Sequence, residues 1–129
     1  MVVLPNGLKV FNATPHPITF WREDWASVVE VPVDTIISAS SKEEPAGCYQ
    51  AFAAPDWESV WFFRTTFAGN DDGRAIIAAA KADGAEVIIG SITAAQAYPG
   101  DVVAMVPCVG YERVPPNEKR MRPDKFTIF

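Results

Sequence analysis

Apolar positions along this chain come in short runs separated by turn-forming residues, a pattern of many small strands and few helices. Leu8 to Asn12 predicts a first strand, bounded by Asn6-Gly7 and by the turn Thr14-Pro15. Ile18 to Trp21 and Ser27 to Val33 are both β-rich, and the polar break between them predicts a hairpin. In the second run Val28, Glu30 and Pro32 alternate with Val29, Val31 and Val33, as in a strand with one solvated face. Thr35 to Ala39 is a further strand candidate, and Ser59 to Phe67 is strongly so because it is dense in aromatic and β-branched residues.

Helical spacing is confined to two places. Asn70-Asp71-Asp72-Gly73 offers N-cap candidates for a helix from about Arg74 to Asp83, with Ile76, Ile77 and Ala80 on one face and Gly84 as the stop. Val87-Ile88-Ile89 has no polar alternation, the mark of a strand buried on both faces. Gly90 ends it, Ser91 is a natural N-cap, and Ile92 to Ala97 predicts a second short helix. Asp101 to Pro107 is another apolar strand. The intervening stretch is slightly short for a standard parallel crossover and leaves the mutual direction of these two strands open. Lys125 to Phe129 predicts a last strand at a sheet edge. The pattern is that of one α/β domain over residues 1–129: a mixed sheet with an N-terminal β-hairpin and one or two short helices packed on it. Residues 40–58, with Pro45, Gly47 and Pro55, predict an irregular loop, and 109–129 a basic, proline-containing C-terminal segment. Trp21, Trp25, Trp57 and Trp61 flank the irregular region and are expected to cover the sheet.

Composition narrows the function classes. With 129 residues, 49% of them hydrophobic, the chain can bury a single core. The net charge of -5 disfavours nucleic acid as a partner. No apolar run approaches the ~20 residues that span a bilayer, so no membrane partner is expected. The start Met1-Val2-Val3-Leu4-Pro5 does not read as a signal peptide. Two distant cysteines, Cys48 and Cys108, fit reduced thiols in a cytoplasm, with Cys108 a small core residue.

No catalytic constellation and no metal-ligand spacing emerges from one histidine and two scattered cysteines, and no cofactor is called for. Three features carry candidate binding chemistry instead. In Asn12-Ala13-Thr14-Pro15-His16-Pro17 the prolines stiffen the loop around His16. Asn12 and Thr14 side chains either satisfy local backbone groups or form, with His16, a polar corner for a ligand. Gly90-Ser91 places a helix start after a buried strand, either an ordinary cap or a place for phosphate. Arg113, Lys119, Arg120, Arg122 and Lys125 crowd five of the eleven basic residues into one short stretch. Arg113, Arg120 and Arg122 are the phosphate-clamping candidates, with Tyr111 to stack a base. If strand 8–12 runs parallel beside the strand ending at Ser91, His16 and Ser91 share one sheet edge. If it does not, His16 is only a rigid corner.

The segment Asn12-Ala13-Thr14-Pro15-His16, after an apolar strand and before Ile18, resembles the Asn-Leu-Thr-Pro-His start of small phage and prophage proteins, Ala13 standing for their leucine. Those proteins also carry a late strand ending in a Val-Ser or Gly-Ser pair, as Val87 to Ser91 does. The resemblance covers the N-terminal segment and the surroundings of Ser91. It implies no catalytic residue, because that group has no settled activity. It implies a viral setting in a host cytoplasm, where proteins of this size include sponges for nucleotide immune signals. The leading expectation is therefore a non-catalytic homo-oligomer that sequesters a small phosphorylated nucleotide through Asn12, Thr14, His16, Ser91, Tyr111, Arg113, Arg120 and Arg122. A protein–protein inhibitor module and a small hydrolase are the alternatives.

Overall fold

A computed structural model describes residues 1–51 and 58–129 of the chain. Trp57, one of the four tryptophans expected to cover the sheet, lies outside the described residues. In chain order the elements are β1 (Val2–Val3), β2 (Lys9–Asn12), β3 (Ile18–Phe20), β4 (Val29–Val31), β5 (Ser40–Ala51), β6 (Glu58–Ala68), α1 (Asp71–Ala82), β7 (Val87–Ile89), α2 (Ile92–Ala97), β8 (Ala104–Pro107) and β9 (Met121–Thr127). The architecture is α/β with mixed sheets. One sheet has the order β1-β2-β7, a second β4-β3-β9-β8, and β5-β6 stand as a two-stranded sheet by themselves.

The parallel pair β2–β7 is the centre of the fold. Val10, Phe11 and Asn12 lie opposite Val87, Ile88 and Ile89. Adjacent residues of β7 point to opposite faces, so Ile88 packs into one core cluster and Ile89 into another. Ile88 meets the helices through Ile77, Ala80, Ala94, Ala95 and Tyr98. Ile89 meets Leu4, Val10, Ile18, Phe20 and Val31 of the strands. A parallel bridge from Ile89 to Val103 joins the two larger sheets and settles the direction of the last crossover as parallel. Asn70 caps α1 by accepting from the Gly73 N–H at 2.8 Å, so this helix begins at Asp71, a turn earlier than its apolar spacing suggests. Ser91 caps α2, accepting from the Ala94 N–H at 3.1 Å. Both antiparallel pairs at the N-terminal end, β1–β2 and β3–β4, are present.

Four sequence expectations are corrected. Thr35 to Ala39 forms no strand; Ile37 is buried and its N–H donates to the Ala13 carbonyl, but no ladder follows. The C-terminal strand starts at Met121 and sits inside its sheet, between β3 and β8, not at an edge. Pro123 lacks an N–H and is accommodated where the β8–β9 register shifts between Met105 and Pro107. Residues 40–51 of the expected irregular loop are instead β5, paired with β6 along its length and shifted in register between Pro45 and Gly47. Alternation is missing there because both faces of this hairpin meet solvent, so no buried face imprints a period of two. Trp61 accordingly stands 59% exposed on β6 instead of covering a sheet. Among the described residues no helix is long and apolar enough to cross a membrane.

Candidate functional site

The turn after β2 is held by its own side chains. Asn12 is fully buried; its amide donates to the carbonyls of His16 at 2.9 Å and Val31 at 3.2 Å. Its side-chain oxygen accepts from the Thr14 N–H at 2.9 Å and the Thr14 hydroxyl at 2.7 Å. That hydroxyl also lies 2.9 Å from the His16 carbonyl. Every polar atom of the Asn12 side chain is thus engaged inside the turn. Asn12 positions the loop and has no side-chain polar capacity left for a ligand, which corrects its expected role; the Thr14 hydroxyl donates within the turn, keeps acceptor capacity and lines the cavity beside it. With Pro15 and Pro17 setting their own φ, His16 is projected outward, and no side chain among the described residues holds its ring.

Because β2 and β7 are parallel, their carboxyl ends open at one edge, and the turn after β2 meets the start of α2 after β7. A cavity of about 330 Å³ lies there, lined by Thr14, Pro15, His16, Pro17, Ile18, Thr19, Ser91, Met105, Pro116, Lys119 and Met121. The walls are largely apolar, and the polar groups converging on them are few: His16, Ser91 and Lys119, with Thr14 and Thr19 beside them. The Ser91 hydroxyl chiefly caps α2 and shares a 3.1 Å bond with the Thr93 hydroxyl. Lys119 makes no ion pair among the described residues and is half-buried at the wall. It belongs to the basic stretch, yet its neighbourhood to His16 arises from the docking of the segment before β9, which no local pattern encodes.

The expected arginine clamp does not assemble. The Arg120 guanidinium lies over the rings of Trp21 and Tyr111, 5.0 and 5.1 Å from their centroids. Tyr111 therefore packs on a neighbouring cation and on Trp21 rather than standing open for a base. Arg122 is forked onto Asp124 at 3.0 and 3.1 Å. That pairing holds the Asp124 carboxyl below the usual carboxylate range and raises the arginine. Arg22 and Asp24 repeat the arrangement, with the same two directions of shift. These two pairs line a second, wider cavity of about 470 Å³ with Trp21, Cys108 and Val109. Its cations are already neutralised. Arg113 is exposed and lines neither cavity.

Cys108 is buried, as its sequence setting implies, and burial pushes its thiol up from the ordinary range. Its Sγ also lies 3.4 Å from the Trp21 carbonyl. Cys48 on β5 is exposed. A disulfide-exchange reagent at pH 8 is therefore expected to titrate one thiol per native chain rapidly and the second only in denaturant. Two equally fast thiols would contradict this placement of Cys108.

Compared with family models, curated proteins and solved structures, the chain matches none of them.

Proposed function

We propose that the chain is a non-catalytic binding protein whose cavity beside His16, Ser91 and Lys119 holds a small phosphorylated nucleotide. The observation that carries the reading is the convergence of these three side chains on one largely apolar cavity at the carboxyl ends of two parallel strands. Lys119 and His16 supply donors for a phosphate, while Met105, Met121 and Ile18 supply an apolar wall. Thioether sulfurs pack well against flat aromatic rings, which suits a base. The volume lies at the small end of the ~300–1,000 Å³ typical of ligand sites. It favours one nucleotide unit inside, with any second unit of a cyclic dinucleotide reaching outward. Sequestration of such a signal, as in a phage-encoded sponge, rests on the resemblance of Asn12–His16 to phage proteins.

Titration calorimetry against nucleoside monophosphates, cyclic mono- and dinucleotides and ADP-ribose derivatives tests this reading. At least one is expected to bind at a ratio of one per chain and to be recovered unchanged by mass spectrometry. A charge-assisted hydrogen bond contributes ~1.5–3 kcal/mol, so Lys119→Ala is expected to weaken binding about ten- to a hundredfold. His16→Ala should act in the same direction, and Arg113→Ala should leave the affinity unchanged. No heat with any of these compounds at protein concentrations of about 100 μM, or a ligand returned hydrolysed, overturns the reading.

A further inference from the structure

The β5–β6 hairpin is the part of the molecule that the cavity does not explain. It pairs with neither of the other sheets. A two-stranded sheet alone in water is marginal at best. Cross-strand register puts Val60 and Phe62 on one face with Tyr49 and Gly47, and Trp61 and Phe63 on the other with Cys48 and Pro45. Tyr49, Trp61, Phe62 and Phe63 are each 54 to 59% exposed, so large apolar side chains stand open on both faces of the arm.

Its two edges are unlike. β5 carries Lys42, Glu43, Glu44, Pro45 and a register shift, the devices that keep an edge strand from pairing. From Ser59 to Ala68, β6 has no proline, no glycine, no lysine and a single charge, Arg64. It is a long strand of aromatic and β-branched residues with an unguarded edge. By composition the hairpin is guarded along β5 and unguarded along the outer part of β6 from Val60, while β6 also lies against α2.

We infer that the arm is a self-association element: β6 of one copy pairs antiparallel with β6 of a second copy across a two-fold axis, giving a four-stranded sheet in the order β5-β6-β6-β5. Such an axis makes the contact self-complementary, since each strand meets the same strand reversed. Pairing of this kind covers the backbone edge of both β6 strands and sets Val60, Trp61, Phe62 and Phe63 of one copy beside the same residues of the other on the two faces, while Tyr49 stays on the outer strand. The surface is separate from the cavity, so this inference stands or falls independently of the ligand.

Sedimentation equilibrium of the full chain over a concentration series tests it. The wild type is expected at twice the 14.1 kDa chain mass. Trp61→Lys/Phe63→Lys places like charges next to each other across the axis and is expected to yield the monomer, with circular dichroism unchanged. Tyr49→Lys lies on the outer strand and should remain dimeric. Oxidation should not join two wild-type chains through Cys48, because the outer strands lie three strand spacings apart, roughly 14 Å. With Cys48→Ser in place, a cysteine substituted in turn for Trp61, Phe62 or Phe63 should crosslink at the position nearest the axis. A monomer at all concentrations, a dimer insensitive to the two lysines, or ready disulfide joining through Cys48 overturns the inference.

Discussion

Replacing Asn12 with alanine is expected to lower the unfolding free energy by about 2–4 kcal/mol, the largest loss from any single side chain at the ligand edge. The estimate follows from what the amide leaves behind. The His16 carbonyl keeps the Thr14 hydroxyl as a partner and the Val31 carbonyl keeps the Ile18 N–H of the β3–β4 pair, whereas the Thr14 N–H loses the bond Asn12 makes to it. Each buried group left without a partner costs ~1–3 kcal/mol, and the cavity left by the side chain adds to that. Against a typical total of 5–15 kcal/mol this is a severe change. Asn12→Asp sharpens the test. It keeps the shape and the acceptor but turns an oxygen towards the carbonyls of His16 and Val31. Its ionised form is disfavoured in the fold, so its deficit should be full at neutral pH and shrink as pH falls and the carboxyl protonates. Urea unfolding at pH 7 and pH 4 measures both variants. A loss below 1 kcal/mol for Asn12→Ala would mean that the turn holds without its amide network. Because the same network projects His16, ligand affinity should fall in Asn12→Ala even under conditions where the variant is fully folded.

The parts of the fold legible in the sequence are those where one local rule acts without competition. Val87-Ile88-Ile89 reads as a two-faced buried strand because nothing polar interrupts it, and its two isoleucines do enter two cores. Ser91 reads as a cap because a helix follows a strand with no other candidate between. Of the arm, only β6 is legible, through the aromatic and β-branched density of Ser59 to Phe67; β5, with both faces exposed, obeys neither the alternation of a half-buried strand nor the spacing of a helix. At the cavity, His16 and Ser91 depended on one fact that no local pattern carries, the parallel neighbourhood of β2 and β7. Lys119 depended on another, the return of the chain beside β3 through β9. The arginines misled because clustering in sequence is not convergence in space. Asp124, two residues from Arg122, was the local signal that this cation would be neutralised within its own strand.

Gly73→Ala is expected to destabilise the protein by about 2–4 kcal/mol, against the ordinary gain of ~1 kcal/mol for that exchange inside a helix. The reversal comes from Tyr98. A Cβ on Gly73 would stand 1.9 Å from the Tyr98 hydroxyl oxygen and 2.5 Å from Cζ, and one on Gly69 would meet the same ring at 2.4 Å. Tyr98 is buried, and its hydroxyl accepts from the Asn70 N–H at 2.9 Å and donates towards the Ser38 carbonyl at 3.3 Å. Ser38 precedes β5 and Asn70 follows β6, so one hydroxyl ties both roots of the arm to the helical side of the core. Any shift of the ring that makes room for a methyl group breaks both ties, and overpacking alone costs ~1–3 kcal/mol. Tyr98→Phe removes the ties without the clash and is expected to cost about 1–2 kcal/mol. In the double variant the oxygen that collides most closely is gone, so the combined loss should fall short of the sum of the two single losses. Thermal and urea unfolding of the four proteins measures that coupling. Strict additivity would show that the glycine and the hydroxyl act separately. If the coupling holds and the arms join two copies, loosening their roots should also weaken the dimer, which sedimentation of Tyr98→Phe reads without any change on β6 itself.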